Sequence, residues 1–422
     1  MKEISNLQRW VLFALLALAG ILGTIDRQII AVLKPLIAGE LGWSDKDYGD
    51  LSAAFQFSIA IALLGAGPLA DRLGVKLSNA IGVFSWSIVA ALHGFAHGLT
   101  QFFLARGALG VTESIGIPNA IKTVAAIFPP HMRSAGFGIS NAVASASAIA
   151  APVLIPLIAL PFGWRGAYVG AGIAGIVWVV AWVVLTRNIP LAVVEAPTPA
   201  ASESGDVVPG KSIFASRGTW AVAGAKVLSD STWFLMLMWM PDFLHRQFGL
   251  TGLPASPYLA IAYTGAAVGS FTAGGVATGL LSRGVAVNRV RKGIMLLSGL
   301  VALSLPLALQ AKSPLAAAGL LALVMAAHQG FSTNLFALIT DVTAQTRIGR
   351  VTGFASFCGN MQGVAIAWIA GHVLAAHLGY GPLFLAAAVS YLLALGWIQL
   401  WLPVITPVER AGAVAAPVMA GH

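Results

Sequence analysis

Charge is scarce in this 422-residue chain: 9% of its residues are Asp, Glu, Lys or Arg and 58% are hydrophobic. A soluble domain normally carries ~25% charged residues. So few charges cannot solvate a globule of this length, but they suit a chain whose solvent is lipid. Cysteine is nearly missing too. The single Cys358 excludes an intramolecular disulfide, and without Cys/His clusters at ligand spacing no metal centre is expected. The chain also lacks GxxxxGK[ST], GxSxG and HExxH. No enzymatic chemistry and no cofactor are therefore expected, and any work must draw on a gradient, taken to be that of protons. The first apolar run, from Trp10 to about Leu33, exceeds the ~7–15 residues of a signal-peptide core and has no small-residue cleavage site after it. It reads as a retained first span.

What the chain does have is apolar length. Mostly apolar runs recur at 10–33, 48–70, 77–97, 99–128, 134–160, 166–186, 217–245, 257–281, 293–311, 314–340, 350–376 and 380–402. Each reaches the ~20 residues a spanning helix needs. The expected fold is an all-α membrane protein with twelve transmembrane helices in two six-helix pseudo-repeats. One bundle covers 1–187, a linker 188–216, a second bundle 217–405 and a tail 406–422. The stretch Glu195–Gly210 is rich in Ala, Pro and Ser, a flexible-linker composition near the chain midpoint.

The +9 net charge invites a nucleic-acid partner, but the basic residues sit at span ends rather than along one stripe. With the N-terminus placed in the cytoplasm, 15 of the 24 Lys and Arg fall on the cytoplasmic side, 5 outside and 4 within spans. That bias sets the orientation, with both termini cytoplasmic and the protein in the cell inner membrane. It accounts for the basic charge with lipid, not nucleic acid, as the partner. The halves echo each other: Ala70-Asp71-Arg72-Leu73-Gly74 follows the second span, and Leu281-Ser282-Arg283-Gly284 follows the eighth. Such duplication places a substrate between the halves near the bilayer midplane.

Ionisable residues inside spans cost roughly 2.5–3.5 kcal/mol each at a helix centre, so they face a cavity or a partner. Asp26, Arg27, Arg106, Glu113, Lys122, Lys226 and Asp230 stand out. Arg106 and Glu113, seven residues apart, share one helix face about 10.5 Å apart along the axis. They are expected to pair at rest. A guanidinium stays charged and offers a planar fork to a carboxylate. Arg27 and Arg106 are thus candidates for holding an anion, and Asp26 and Glu113 for carrying protons. The alternative is that these are static structural pairs. Lys122 could simply snorkel, and Lys226 could be satisfied by Asp230. His328, Asn334 and Asn360 are candidate substrate contacts, although polar side chains also bridge membrane helices without function. His93 and His97 are expected at the membrane interface.

Gly67-Pro68-Leu69-Ala70-Asp71-Arg72-Leu73-Gly74-Val75-Lys76 resembles the loop between helices two and three of the major facilitator superfamily. Its glycines permit a tight turn, and Asp71 and Arg72 are candidate gating residues, unless the loop is only a solvated turn. The wider chain resembles the anion:cation symporter family and, within it, the hexuronate transporter branch. The resemblance is carried by Asp26-Arg27-Gln28, by Arg106, Gly110, Glu113, Pro118-Asn119 and Lys122, by Phe128-Pro129-Pro130 with Arg133, and by Gly163-Trp164-Arg165. Lys226, Asp230, Trp233, Trp239 and Pro241 continue it, as does the run from His328 to Asp341. It implies that the carboxylates matching Asp26 and Glu113 carry protons, that Arg106 couples substrate to protonation, and that Arg27 and Lys226 meet the anion. Two departures stand out: Ile59 replaces a common tyrosine, and Val342-Thr343 replace Phe-Pro after Asp341.

The expected function is proton-coupled import of a small organic anion, a hexuronate or related sugar acid, by a monomer working through alternating access. An exporter of metabolites or drugs, or a monocarboxylate or dicarboxylate transporter of the same fold, is the alternative. Against an exporter, span five reads Ala146-Ser147-Ala148-Ile149-Ala150-Ala151-Pro152, without the glycines common there. A membrane sensor would need a signalling domain for which the expected tails leave no room.

Overall fold

The computed structural model describes residues 5–128, 132–189, 213–344 and 347–405. Most of the expected linker and the whole tail 406–422 lie outside the described residues. Among the described residues the regular structure is entirely helical: α1 Asn6–Val32, α2 Lys34–Leu41, α3 Asp45–His93, α4 Leu99–Glu113, α5 Gly116–Ile127 and α6 Arg133–Thr186 before residue 190, then α7 Arg217–Phe248, α8 Ser256–Ser282, α9 Val287–Ala302, α10 Pro314–Val342, α11 Ile348–Ala375 and α12 Gly381–Trp401.

Two of these helices are too long for one crossing, and a glycine divides each. Gly74 has φ 70° and ψ 167° within α3, and Gly163 has φ 67° and ψ −179° within α6. That left-handed conformation suits a residue without Cβ. The ring contacts prove that the chain turns back at both. Phe102 lies 4.6 Å from Trp43, 5.4 Å from His93 and 5.7 Å from Trp164, so residues far apart in sequence return to one face. At the opposite face, Arg9 Nε donates to the Ile127 carbonyl at 2.7 Å and Trp182 Nε1 to the Lys76 carbonyl at 3.0 Å. A second interruption separates α4 from α5. Pro118 has no N–H to offer the Ser114 carbonyl four residues back, which is where the helix breaks.

Counting α3 and α6 as two limbs each and α4–α5 as one broken span, the described residues make twelve crossings. Length and apolarity alone pick out seven helical stretches, two of which, 45–93 and 142–186, each hold a pair of crossings. α7 is not among the seven, and it carries Lys226, Asp230 and Asp242. Helices of this kind face protein and cavity rather than lipid.

The halves meet most closely at the face that holds Trp43 and His93. A Cβ at Gly49 of α3 would stand 2.7 Å from the Ala367 carbonyl oxygen and 2.9 Å from Gly371 Cα of α11, so two backbones touch where only small residues allow it. Beside this contact lies a buried charge cluster. Lys34 Nζ reaches Asp45 Oδ1 at 2.7 Å and Asp242 Oδ1 at 2.6 Å. Arg246 reaches Asp242 at 2.6 Å and also pairs with Asp45. Tyr380 donates to Asp242 at 2.5 Å, and the Lys34 ammonium lies 4.5 Å from the centre of the Trp239 ring. Tyr48 adds a hydrogen bond to the Met238 carbonyl at 2.7 Å. Lys34 and Arg246 lock one half to the other. On α2, the Glu40 carboxyl is held below its usual range by hydrogen bonds from Arg165 and Trp164, which ties α2 to the second limb of α6.

Lys34→Met would leave Asp45 and Asp242 with Arg246 as their one remaining cation among the described residues. Removing one partner of a buried ion pair costs about 3–5 kcal/mol. Thermal unfolding of the purified protein in detergent should show a lower melting temperature for the variant, and an unchanged value would mean the cluster contributes nothing.

Candidate functional site

At the middle depth of the first half, side chains from four helices converge. α1 brings Asp26 and Arg27, α3 brings Phe55, α4 brings Arg106 and Glu113, and the second limb of α6 brings Tyr168. Arg27 Nε donates to Glu113 Oε2 at 2.5 Å. Arg106 does not pair with Glu113 as expected. Its guanidinium donates to the Tyr168 hydroxyl at 3.1 Å and lies 5.6 Å from the Phe55 ring centre. The reason is geometric: a shared helix face aligns two side chains but does not make them touch, and Arg27 crosses from α1 to take the carboxylate. Tyr168 has no distinguishing pattern in the sequence, and sequence reasoning missed it.

The cluster is unevenly exposed. Asp26, Arg106 and Glu113 are buried, whereas the Arg27 side chain keeps 40% of its surface open. Arg27 is therefore the only one of the four that an incoming solute could touch first. Three polar atoms, Asp26 Oδ1, Glu113 Oε1 and Arg106 Nε, are buried with no hydrogen-bond partner among the described residues. Such atoms are costly and uncommon in finished structures. Asp26 lies within electrostatic reach of Glu113, Arg106 and Arg27.

The second half contributes a cavity of about 280 Å³, lined by Lys226, Asp230, Trp233, His328 and Asn360 among others, with Ile117 from α5. This lies just below the ~300–1,000 Å³ typical of small-molecule sites. Lys226 Nζ donates to Asp230 Oδ2 at 2.7 Å. His328 stacks on Trp233, with centroids 5.2 Å apart, and its Nδ1 meets the Tyr391 hydroxyl at 2.9 Å. Asn360 reaches the cavity wall while its amide donates to the Ser356 carbonyl at 2.9 Å.

Other expected positions fall elsewhere. Asn334 is fully buried and turned toward α9, accepting from Arg291 at 3.2 Å and donating to the Gly330 carbonyl at 3.0 Å, while Arg291 also pairs with Asp341 at 2.9 Å. A helix presents every side of itself, and apolar context alone does not say which side meets the cavity. His93 is buried and stacked 4.8 Å from Tyr168 rather than interfacial. Asp71 pairs with Lys122 across the turn at Gly74, while Arg72 is exposed and has no partner among the described residues. Ile59 is buried, with its backbone packed where α3 crosses Gly110 of α4.

A larger cavity, about 470 Å³, lies at the Lys34–Asp242 cluster. Its Lys34 and Arg246 bridge Asp45 of the first half and Asp242 of the second, so its charges hold the interface.

Comparisons with known proteins agree with this architecture. The sequence profile of the Major Facilitator Superfamily matches residues 16–361. The chain is 29% identical to the probable L-galactonate transporter of Escherichia coli K12 over 365 residues, covering 81% of this chain and 79% of that protein. It is 26% identical to the hexuronate transporter of the same strain, covering 95% of each, and 24% identical to a D-galactonate transporter of E. coli O6:H1, covering 96% and 97%. Among solved structures, a bacterial homologue of the human lysosomal transporter Spinster, in an inward-facing and occupied conformation, superposes with a TM-score of 0.72 at 18% identity, covering 94% of this chain and 97% of that one.

Tyr168→Phe would leave Arg106 with a further unsatisfied donor at a buried site. The expected loss is about 1–3 kcal/mol, read as a lower midpoint in chemical unfolding. A midpoint equal to that of the parent protein would show that Tyr168 does not hold the guanidinium.

Proposed function

The chain belongs to the Major Facilitator Superfamily, and from that premise we propose that it imports a small organic anion, a hexuronate or related sugar acid, together with protons. The relatives named above, transporters of galactonate and hexuronate, support the substrate class. The observation that carries the reading is a charge balance. Three cations (Arg27, Arg106, Lys226) face three carboxylates (Asp26, Glu113, Asp230) around the middle of the molecule. A monoanion entering that set leaves it one negative charge in excess, and in a water-poor site such an excess is expensive. One proton taken up by a carboxylate restores the balance.

In this reading the substrate carboxylate draws Arg27, the exposed partner, from Glu113 and also meets Lys226, and Glu113 takes the proton. Arg106 stays against Tyr168 and Phe55 and raises the local positive potential. Asp26 carries a second proton or tunes the first. The orientation expected from the Lys and Arg bias puts the Lys34–Asp242 lock on the outer face, so the conformation seen is closed to the outside. Alternating access then requires that lock to part as the halves rock. The protein works as a monomer with no bound cofactor.

Two outcomes follow. Glu113→Gln should reduce glucuronate accumulation driven by an imposed pH gradient at least about tenfold, one charge-assisted contact being worth that much, while glucuronate exchange across proteoliposomes persists. Arg106→Lys should also lose uptake, because a point charge cannot reproduce the guanidinium fork on the Tyr168 side. The overall test is radiolabelled glucuronate or galacturonate uptake with and without the gradient. Uptake that ignores the gradient removes the proton, and no uptake of any sugar acid removes the substrate class.

A further inference from the structure

We propose that Asp230 is a built-in stand-in for the substrate carboxylate, holding Lys226 while the cavity is empty and yielding it when an anion arrives. The inference rests on the reading of Lys226 as an anion-binding residue and assigns its partner a role of its own.

The pair is confined to one helix, and among the described residues it has no ion-pair partner on any other element. Lys226 and Asp230 are one turn apart on α7, 2.7 Å between charged atoms, and both side chains are about nine-tenths buried. Other pairs join different elements: Arg27 to Glu113, Lys34 to Asp242 and Arg291 to Asp341; Arg246 and Asp242 also share α7, but they are tied to Asp45 of α3 and Lys34 of α2. Those pairs tie the fold together. A pair within one helix ties nothing to anything, and as a helix stabiliser it would be worth only ~0.2–0.5 kcal/mol. That cannot offset the roughly 2.5–3.5 kcal/mol of placing a charge in mid-membrane. A structural role therefore explains neither residue, and leucine at both positions would serve the helix better.

The surroundings fit an exchangeable contact. Both side chains line the cavity that also holds His328 and Asn360. The far side of the pair is closed by Gly359 of α11, where an added Cβ would run into the Asp230 carboxylate and come within 3.2 Å of Lys226 Cγ. The ammonium has the Phe336 ring 4.9 Å away on another side. Lys226 thus has one carboxylate-sized position in front of it, Asp230 fills it, and that position borders the cavity.

Asp230 has a second consequence. An importer must return empty, and an unmatched ammonium would make the return step unfavourable. With Asp230 on Lys226 the empty carrier is neutral there. With the substrate bound and one proton taken up, the whole set of three cations and three carboxylates is balanced too.

Asp230→Asn keeps the shape and removes the competing charge. Glucuronate should then bind about tenfold more tightly, since one charge-assisted hydrogen bond no longer has to be displaced. Net uptake should fall at least about tenfold because the empty return carries a bare cation, while glucuronate-for-glucuronate exchange, in which the carrier never returns empty, continues. Should the amide crowd Gly359, Asp230→Ser supplies the same test with a smaller side chain. Binding is read by equilibrium binding of labelled glucuronate in detergent, net uptake and exchange in proteoliposomes, and folding by the melting temperature. Unchanged or weaker binding by a folded Asp230→Asn or Asp230→Ser protein, or net uptake lost together with exchange, overturns the stand-in. Lys226→Gln separates this from the underlying reading. If that variant binds glucuronate as the parent does, Lys226 is not an anion site at all. If it binds weakly while the Asp230 variants bind no tighter, Lys226 stands and the stand-in falls.

Discussion

An ionised side chain inside a membrane must find an opposite charge or a dipole, and the interior of this protein is arranged around that requirement. With 9% charged residues, most charges within the described spans have a neighbour that answers them, Asp26 being the one buried carboxylate of the central cluster without an ion pair. Arg27 meets Glu113, Lys226 meets Asp230, Lys34 lies between Asp45 and Asp242, Lys122 meets Asp71, and Arg291 meets Asp341. Arg106 has no carboxylate in contact and relies on a tyrosine hydroxyl and an aromatic face. Where a pair crosses between elements, it fixes their relative position, as at the Lys34 lock. Where it does not, the charges are there for another reason.

This gives the two halves different duties. The first gathers Asp26, Arg27, Arg106 and Glu113 from two helices onto a support of Phe55 and Tyr168, leaving three polar atoms unpartnered. The second offers a walled cavity with aromatic and imidazole surfaces and a single ammonium. A solute bound between them would touch an aromatic and polar wall with the Lys226–Asp230 pair on one side and the Arg27–Glu113 pair on the other. The backbone contact of Gly49 with Gly371, close to the Lys34–Asp242 pair, holds one end of the interface.

Much of the fold was legible because lipid imposes a coarse rule. Twelve apolar runs of spanning length anticipated twelve crossings, and the glycine of the Gly67–Lys76 motif marked a turn that Gly74 makes with its positive φ. Asp71 was legible as a candidate gating residue, though not that it pairs with Lys122. Less was legible of the site. Spacing put Arg106 and Glu113 on one face, but Arg27 holds the carboxylate and Tyr168 the guanidinium. Asn334 stood in a span that borders the cavity, yet its side chain faces α9. Asp242 stood in the seventh span without drawing attention, because nothing local says that Lys34, some two hundred residues earlier, will lie 2.6 Å away.

Sequence by itself determined that the chain lives in lipid, how often it crosses, and which side chains are too costly to be there without purpose. These follow from transfer free energy, which is a property of each segment alone. Only the tertiary structure decided which charge answers which, because pairing depends on the rotation of each helix about its axis and on the depth at which helices from distant parts of the chain meet. Those two quantities are set by packing against neighbours, and no single segment contains them.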